Sequence, residues 1–347
     1  MTLVKAYAAQ QADLPLAPYQ LERREPGAHD VEIEILYCGV CHSDIHTARN
    51  EWHGTKYPVV PGHEIVGKVT RVGTEVSRFR TGDTVGVGCF VDSCRECNNC
   101  RDNQEQYCER GSSQTYNSYL QDKKTITYGG YSTHIVVTEH FVLNIPDNLP
   151  LEKVAPLLCA GITTWSPLKH WGVKAGDKVA VVGLGGLGHM AVKLAASLGA
   201  DVTMLSRSPQ KAKDANDLGA HHFELTTDPD NMKKMENRFN FIVDTVSAEH
   251  DYNDYLSLLR TNGVMVVLGA PPKPSEVSAF ELIGGRRSLV GSLVGGIKET
   301  QEMLDYCGEH NIVSDVEVIT MSQINEAYER TISGDVHYRF VIDMATL

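Results

Sequence analysis

Four cysteines stand within fifteen residues, Cys94, Cys97, Cys100 and Cys108, with the spacing C-x2-C-x2-C-x7-C. The loop that carries them is rich in Asn, Asp and Arg, so these thiols do not belong to an apolar core. Four thiolates from one short loop can close around a tetrahedral zinc and leave no position for a substrate, which is the pattern of a structural metal site. An iron–sulfur cluster stays open as the alternative, although no second cysteine set accompanies the first. Other potential ligands are dispersed: Cys41 with His42, Ser43, Asp44 and His46 close behind it, His63-Glu64 after Pro61-Gly62, and Cys159 in the apolar run Leu157-Leu158-Cys159-Ala160-Gly161. A catalytic zinc needs three protein ligands and one exchangeable position, and these residue types qualify. Taken singly, Cys159 also reads as a buried core thiol and His63 as a turn histidine. Spacing alone does not assemble them into one site.

A second chemical signature is Gly183-Leu184-Gly185-Gly186-Leu187-Gly188, which follows the apolar run Val179–Val182 and opens a helical stretch through Leu198. Glycines in this position allow a tight turn and let backbone approach a pyrophosphate resting on a helix N-terminus. The following strand, Asp201–Leu205, ends in Ser206-Arg207-Ser208, with Lys211 beyond. A carboxylate there would accept from a ribose 2′-hydroxyl and repel a 2′-phosphate. Two hydroxyls, a guanidinium and an ammonium bind that phosphate instead, so the reading is NADP(H) rather than NAD(H). The plain alternative is a polar surface turn with Ser208 as a helix cap.

The elements that must hold these residues fall into two patterns. Up to about residue 150, short alternating runs broken by Gly, Pro and Asp predict antiparallel strands of a barrel-like domain: Val31–Ile35, Ile65–Val69, Thr84–Gly88 and His134–Val137. From Leu151 onward, helical stretches alternate with the apolar strands Lys178–Val182, Asp201–Leu205, Phe239–Asp244 and Val264–Leu268, which predicts a doubly wound parallel sheet and an α/β fold overall. In the tail, Asn325–Ser333 reads as a helix ended by Gly334, and Tyr338–Asp343 as a strand returning to the first domain.

Bulk properties narrow the function classes. The 347 residues suit two cores, and 42% hydrophobic content is enough to fill both. The nine unevenly spread cysteines point to reduced thiols and metal rather than a disulfide framework. A net charge of -12 without a Lys/Arg cluster argues against a nucleic-acid partner. The longest apolar run, Val179–Ala196, is broken by glycines, His189 and Lys193, so no membrane span is expected, and the N-terminus lacks the pattern of a signal peptide.

The segments Gly39–Asp44, Pro61–Gly67, the four-cysteine loop, Gly183–Gly188 and Tyr338–Val341 occur in the order found in zinc-dependent medium-chain alcohol dehydrogenases. The chain resembles, over essentially its whole length, their cinnamyl alcohol dehydrogenase branch, which includes microbial NADPH-dependent broad-range aldehyde reductases. The resemblance implies a GroES-like β-barrel catalytic domain over residues 1–152, completed by 290–347, and a Rossmann NADP(H)-binding domain over 153–289. It implies two zinc ions per chain, a catalytic one on Cys41, His63 and Cys159 with Glu64 adjacent, and a structural one on Cys94, Cys97, Cys100 and Cys108. Asp44 would orient the histidine ligand, Ser43 would stand beside the reacting oxygen, and His46 would be the exit of a proton relay. His42 and Arg339 would contact the pyrophosphate. Thr163, Thr245, Gly269, Ser292, Leu293 and Val294 fall where further cofactor contacts are expected.

A cytoplasmic homodimer acting on aromatic and aliphatic aldehydes and alcohols is implied too, with Gly285–Gly296 as the candidate interface. Two departures leave the substrate open: Asn50–His53 and the polar loop Ser112–Thr127, both placed where a substrate would enter. An NAD-dependent alcohol or polyol dehydrogenase, and a non-catalytic zinc-stabilised dinucleotide-binding protein, remain the competing readings.

Overall fold

A computed structural model describes residues 2–271 and 273–347. The chain divides into two compact units, one running to Ile162 and resumed at Gly295–Leu347, the other spanning Thr163–Val294.

The first unit is organised around the strand Asp30–Gly39. Its Val31, Ile33 and Ile35 are buried while Glu34 points outward, the alternation that a half-buried strand requires. It pairs antiparallel with Ile65–Val72, His134–Thr138 and Arg339–Asp343. The seven-stranded sheet continues through Thr84–Val87 to Leu143–Asn144 on one side and through Arg339–Asp343 to Val316–Thr320 on the other. The strands expected before residue 150 pair antiparallel, while Val316–Thr320, which no sequence pattern announced, runs parallel to Arg339–Asp343. The reason is the connection: the helix Ile324–Ser333 carries the chain back over the sheet, and Gly334 ends it in the left-handed region at φ 75°. The tail strand joins this unit, as expected.

Two features of this sheet prepare the site. The strand Asp30–Gly39 runs straight into the helix His42–Ala48, whose first turn is closed by the Cys41 N–H donating to Asp44 Oδ2 at 2.9 Å. Gly39 itself faces Glu64 so closely that a Cβ there would collide with the Glu64 carboxylate.

The second unit holds a six-stranded sheet in which every pair is parallel. The spatial order is His222–Leu225, Asp201–Ser206, Lys178–Val182, Phe239–Asp244, Leu259–Val267, Ser288–Gly291. In chain order this is 3-2-1-4-5-6, the dinucleotide-binding arrangement, with its reversal beside Lys178–Val182. Val182, Leu205, Phe239, Ile242, Leu256, Leu259 and Met265 form the apolar core on one face. The expected helix after the glycine turn begins at its last glycine and covers Gly188–Ser197.

Candidate active site and metal centres

The four local cysteines converge. The ligand atoms of Cys94, Cys97, Cys100 and Cys108 all lie within 4.8 Å of one another, and Cys94 Sγ is 3.8 Å from Cys100 Sγ. Thiolates sharing a tetrahedral zinc at about 2.3 Å stand roughly 3.8 Å apart, so the separation fits a shared ion and is far too long for a disulfide. Backbone N–H groups point at the sulfurs: Cys97 N–H to Cys94 at 3.3 Å, Cys94 N–H to Cys108 at 3.4 Å and Glu109 N–H to Cys97 at 3.5 Å. Such donors favour thiolates, and those of Glu96 and Cys97 hold the Cys94 thiol down to about 6. Burial pushes Cys100 up to about 12.

The dispersed candidates converge as well. Cys41, His63, Glu64 and Cys159 bring their ligand atoms within 4.8 Å of one another, and all four are buried. Cys41 Sγ and Cys159 Sγ are 4.0 Å apart, again a separation for a shared ion. The Cys159 contact and the charges of Arg339 and His63 draw the Cys41 thiol well below its ordinary range, while the same contact drives Cys159 up. Burial alone would lower His63, but the Asp44 carboxylate, 3.2 Å from Nδ1, raises it well above its usual value. Such a concentration of proton-holding groups suits a cation that displaces the protons on binding.

Glu64 is wholly buried, and its pKa rises to about 7 because burial outweighs the attraction of Arg339. Arg339 donates to Glu64 Oε1, while Glu64 Oε2 and Arg339 Nε have no hydrogen-bond partner among the described residues. The guanidinium that the resemblance gives to a pyrophosphate thus has one of its nitrogens, Nη2, on Glu64.

Ser43 Oγ lies 3.6 Å from Cys41 Sγ. His46, one turn further on the same helix, pairs through Nδ1 with Glu51, and its ring stands 4.8 Å from that of Trp52. The segment expected at a substrate entrance thus supplies Glu51 and Trp52 to His46, and the Ser112–Thr127 loop supplies Tyr116, whose ring centroid is 5.7 Å from that of His63. His42 is exposed.

Cys89 was not singled out by the sequence. Its thiol interacts with Cys159 and lies in the field of His63, both of which lower its pKa. It follows the strand Thr84–Val87 with no spacing that ties it to a motif, so only the fold could find it.

In the second unit the glycine turn behaves as the spacing demands. Gly183 adopts φ 87°, a Cβ on Gly188 would collide with the Gly183 carbonyl, and a Cβ on Gly185 would meet nothing within 4 Å. Those are the turn, the close helix–strand approach and the open face on which a pyrophosphate can rest. Thr245 Oγ1 ties the turn down by donating to Val182 O at 2.8 Å and Gly183 O at 3.1 Å. A Cβ on Gly269 would run into the Val246 carbonyl.

Beyond the neighbouring strand, Ser206 is buried and accepts from Ser208 N–H at 3.2 Å, and Lys211 Nζ reaches back to Leu184 O at 2.6 Å. Arg207 is exposed. Ser208 precedes the turn Pro209–Lys211 without capping it by its side chain. Thr163 is buried in the helix Ala160–His170, one turn past Cys159. Ser292 and Leu293 follow the outer strand Ser288–Gly291, and Val294 carries the left-handed φ of 39° that a β-branched residue rarely adopts.

Comparison with known proteins gives concordant matches. The family model of the alcohol dehydrogenase GroES-like domain matches residues 27–147, and that of zinc-binding dehydrogenases matches 186–309. The chain is 56% identical to NADP-dependent alcohol dehydrogenase C 1 of Mycolicibacterium smegmatis, over 100% of this chain and 99% of the relative. It is 53% identical to aldehyde reductase YahK of Escherichia coli, over 99% of both chains. Among solved structures, a cinnamyl alcohol dehydrogenase of Sorghum bicolor superposes with a TM-score of 0.96 at 46% identity, covering 99% of this chain and 98% of that one.

Proposed function

Because the chain belongs to the zinc-dependent medium-chain alcohol dehydrogenases, in their cinnamyl alcohol dehydrogenase branch, and is an NADP(H) oxidoreductase acting on CH–OH groups, we propose that it reduces a broad range of aromatic and aliphatic aldehydes, cinnamaldehyde-like ones included, and oxidises the matching alcohols. The observation that carries this reading is the buried quartet of Cys41, His63, Glu64 and Cys159, with ligand atoms within 4.8 Å. Cys41, His63 and Cys159 are assigned to the catalytic zinc with Glu64 beside it, and Cys94, Cys97, Cys100 and Cys108 to the structural one.

When bound, the catalytic zinc supplies a Lewis acid for the substrate oxygen, and NADPH supplies the hydride. The chain's own residues do the rest. Asp44 fixes the ring of His63. Ser43 Oγ holds the proton that the product oxygen takes up, and His46, partly open to solvent and steadied through Nδ1 by Glu51, exchanges it with water. Arg339 holds the Glu64 carboxylate at the rim of the cluster.

The cofactor is assigned to the turn Gly183, Leu184, Gly185, Gly186, Leu187 and Gly188, with His42, and Arg339 through the N–H groups it does not give to Glu64, as further pyrophosphate donors. Ser206, Arg207, Ser208 and Lys211 are assigned to the 2′-phosphate, and Thr163, Thr245, Gly269, Ser292, Leu293 and Val294 to the remaining contacts. Residues 1–152 with 290–347 form the catalytic domain in this reading, and 153–289 the cofactor domain. A homodimer is supported by Ser288–Gly291 being the outer strand of its sheet, near in sequence to the exposed Phe280 (82%) and Ile283 (73%). No helix among the described residues is long and apolar enough to cross a membrane. A cytoplasmic location completes the proposal.

Initial rates of NADPH and NADH oxidation across aromatic, branched and linear aldehydes, with and without a zinc chelator, test it. The expected result is a preference for NADPH of at least about tenfold, abolished turnover on zinc removal, and a shift toward NADH in Ser206→Asp. Equal rates with both cofactors, or chelator-insensitive turnover, would overturn it.

A further inference from the structure

Besides the Tyr116 hydroxyl, the buried carboxylate of Asp44 gathers four groups. Oδ2 accepts from Cys41 N–H at 2.9 Å and from the Tyr131 hydroxyl at 3.2 Å. Oδ1 accepts from Gly62 N–H at 3.0 Å and faces His63 Nδ1 at 3.2 Å. Three of these groups belong to the two short segments that carry Cys41 and His63. The fourth comes from a separate loop and has no part in the established chemistry.

Tyr131 is held for that contact. It is fully buried (0% exposed), its N–H donates to Pro61 O at 2.9 Å, and its carbonyl accepts from Tyr7 N–H at 2.9 Å. Gly62 sits at φ 102°, and a Cβ there would come within 2.7 Å of the Tyr131 ring, so the residue beside His63 is shaped to admit it. Burial, and then the charge of Asp44, push the phenol well above its ordinary range, so the hydroxyl remains a donor throughout the working pH range. A buried carboxylate keeps its charge and its angle only while donors surround it, and a hydrogen bond to a charged group is among the stronger ones.

We propose that Tyr131 is a positioning residue for the catalytic metal: its hydroxyl pins Asp44, Asp44 pins the Nδ1–H tautomer of His63, and Nε2 is thereby left for the ion. The inference rests on the reading of Cys41, His63 and Cys159 as zinc ligands and extends the support of that site one residue further out. Phenylalanine fills the same volume and removes this donor from Oδ2, while the Cys41 N–H and the Tyr116 hydroxyl, which also interacts with Asp44, stay in place.

The test follows zinc release from the purified holoenzyme into a chelating dye, for wild type and Tyr131→Phe. The zinc of the four-cysteine loop serves as the internal reference. The expected result is release from the catalytic site about tenfold faster in Tyr131→Phe, with the second zinc unchanged. In an Asp44→Asn background the same substitution should accelerate release less than about twofold, because the hydroxyl acts through Asp44.

Wild-type release rates in Tyr131→Phe would overturn the inference. So would equal acceleration of both zincs, which marks a packing role, or undiminished acceleration in the Asp44→Asn background. A wild-type protein holding one zinc, with metal content unchanged by Cys41→Ser, would instead sink the metal reading itself.

Discussion

The two thiol clusters are built from similar ligands and differ in where the ligands come from. Cys94, Cys97, Cys100 and Cys108 arise from one loop, half of them only partly buried, and their sulfurs are steadied mostly by that loop's own N–H groups. Cys41, His63, Glu64 and Cys159 arise from three separated segments and are all buried. Around them stand Asp44 behind His63 and Arg339 on Glu64, whereas a serine hydroxyl accompanies both clusters, Ser43 beside Cys41 and Ser93 beside Cys100. A local cluster satisfies an ion by itself and braces a loop. An assembled cluster mixes ligand types, leaves a carboxylate uncommitted on one oxygen, and borrows its geometry from the whole sheet, which is what a site for chemistry requires.

Four substitutions can break or sharpen that contrast. The largest effect is expected from His63→Ala, with kcat/KM falling by about a thousandfold or more, since a correctly held Lewis acid contributes several kcal/mol. Circular dichroism and NADPH binding should stay close to wild type; near-normal turnover would remove the distinction between the clusters. Cys97→Ser should do the opposite. A drop in Tm of roughly 5–15 °C is expected, with turnover of the folded fraction within about threefold of wild type, and an unchanged Tm would refute the bracing role.

Gly39→Ala tests how far the assembled cluster depends on its sheet. The added methyl would collide with Glu64, and overpacking of about 1–3 kcal/mol should lower Tm by about 3–9 °C and reduce zinc content at the catalytic site alone. Intact metal content would show that Glu64 moves freely.

The smallest effect lies outside both clusters. His250 Nε2 pairs with the buried Asp244 at 2.9 Å, which raises the histidine pKa. The folded state then holds the proton more tightly than the unfolded chain, so the pair's contribution is full below about pH 6.5 and is lost as pH rises through the folded value. The Tm penalty of His250→Gln should be larger at pH 6 than at pH 9 by about 1–3 °C. An equal penalty at both would show that no metal-independent titration of this kind exists.

Much of this was legible in the chain itself, for local reasons. The glycine turn, the strand before it and the polar Ser206–Lys211 segment are fixed by neighbours in sequence, and the structure has them in a parallel sheet of the expected kind. The four-cysteine loop was equally plain. The parallel pairing of Val316–Thr320 was not, because strand direction depends on the crossover helix rather than on alternation. Cys89 and Tyr131 were missed because each takes its place by a contact made across the fold, and no spacing announces it, whereas Glu51 and Tyr116 lay inside the segments Asn50–His53 and Ser112–Thr127 without being singled out.

The sequence by itself determined the four-cysteine cluster, the dinucleotide turn and the preference for a 2′-phosphate, since thiol spacing, glycine freedom and the sign of a charge are local properties. Only the tertiary structure decided that Cys41, His63, Glu64 and Cys159 meet, that Arg339 turns to Glu64, and that Tyr131 stands behind Asp44. Those contacts join residues as much as 275 positions apart, and their distances are set by sheet register and packing, which no local pattern encodes.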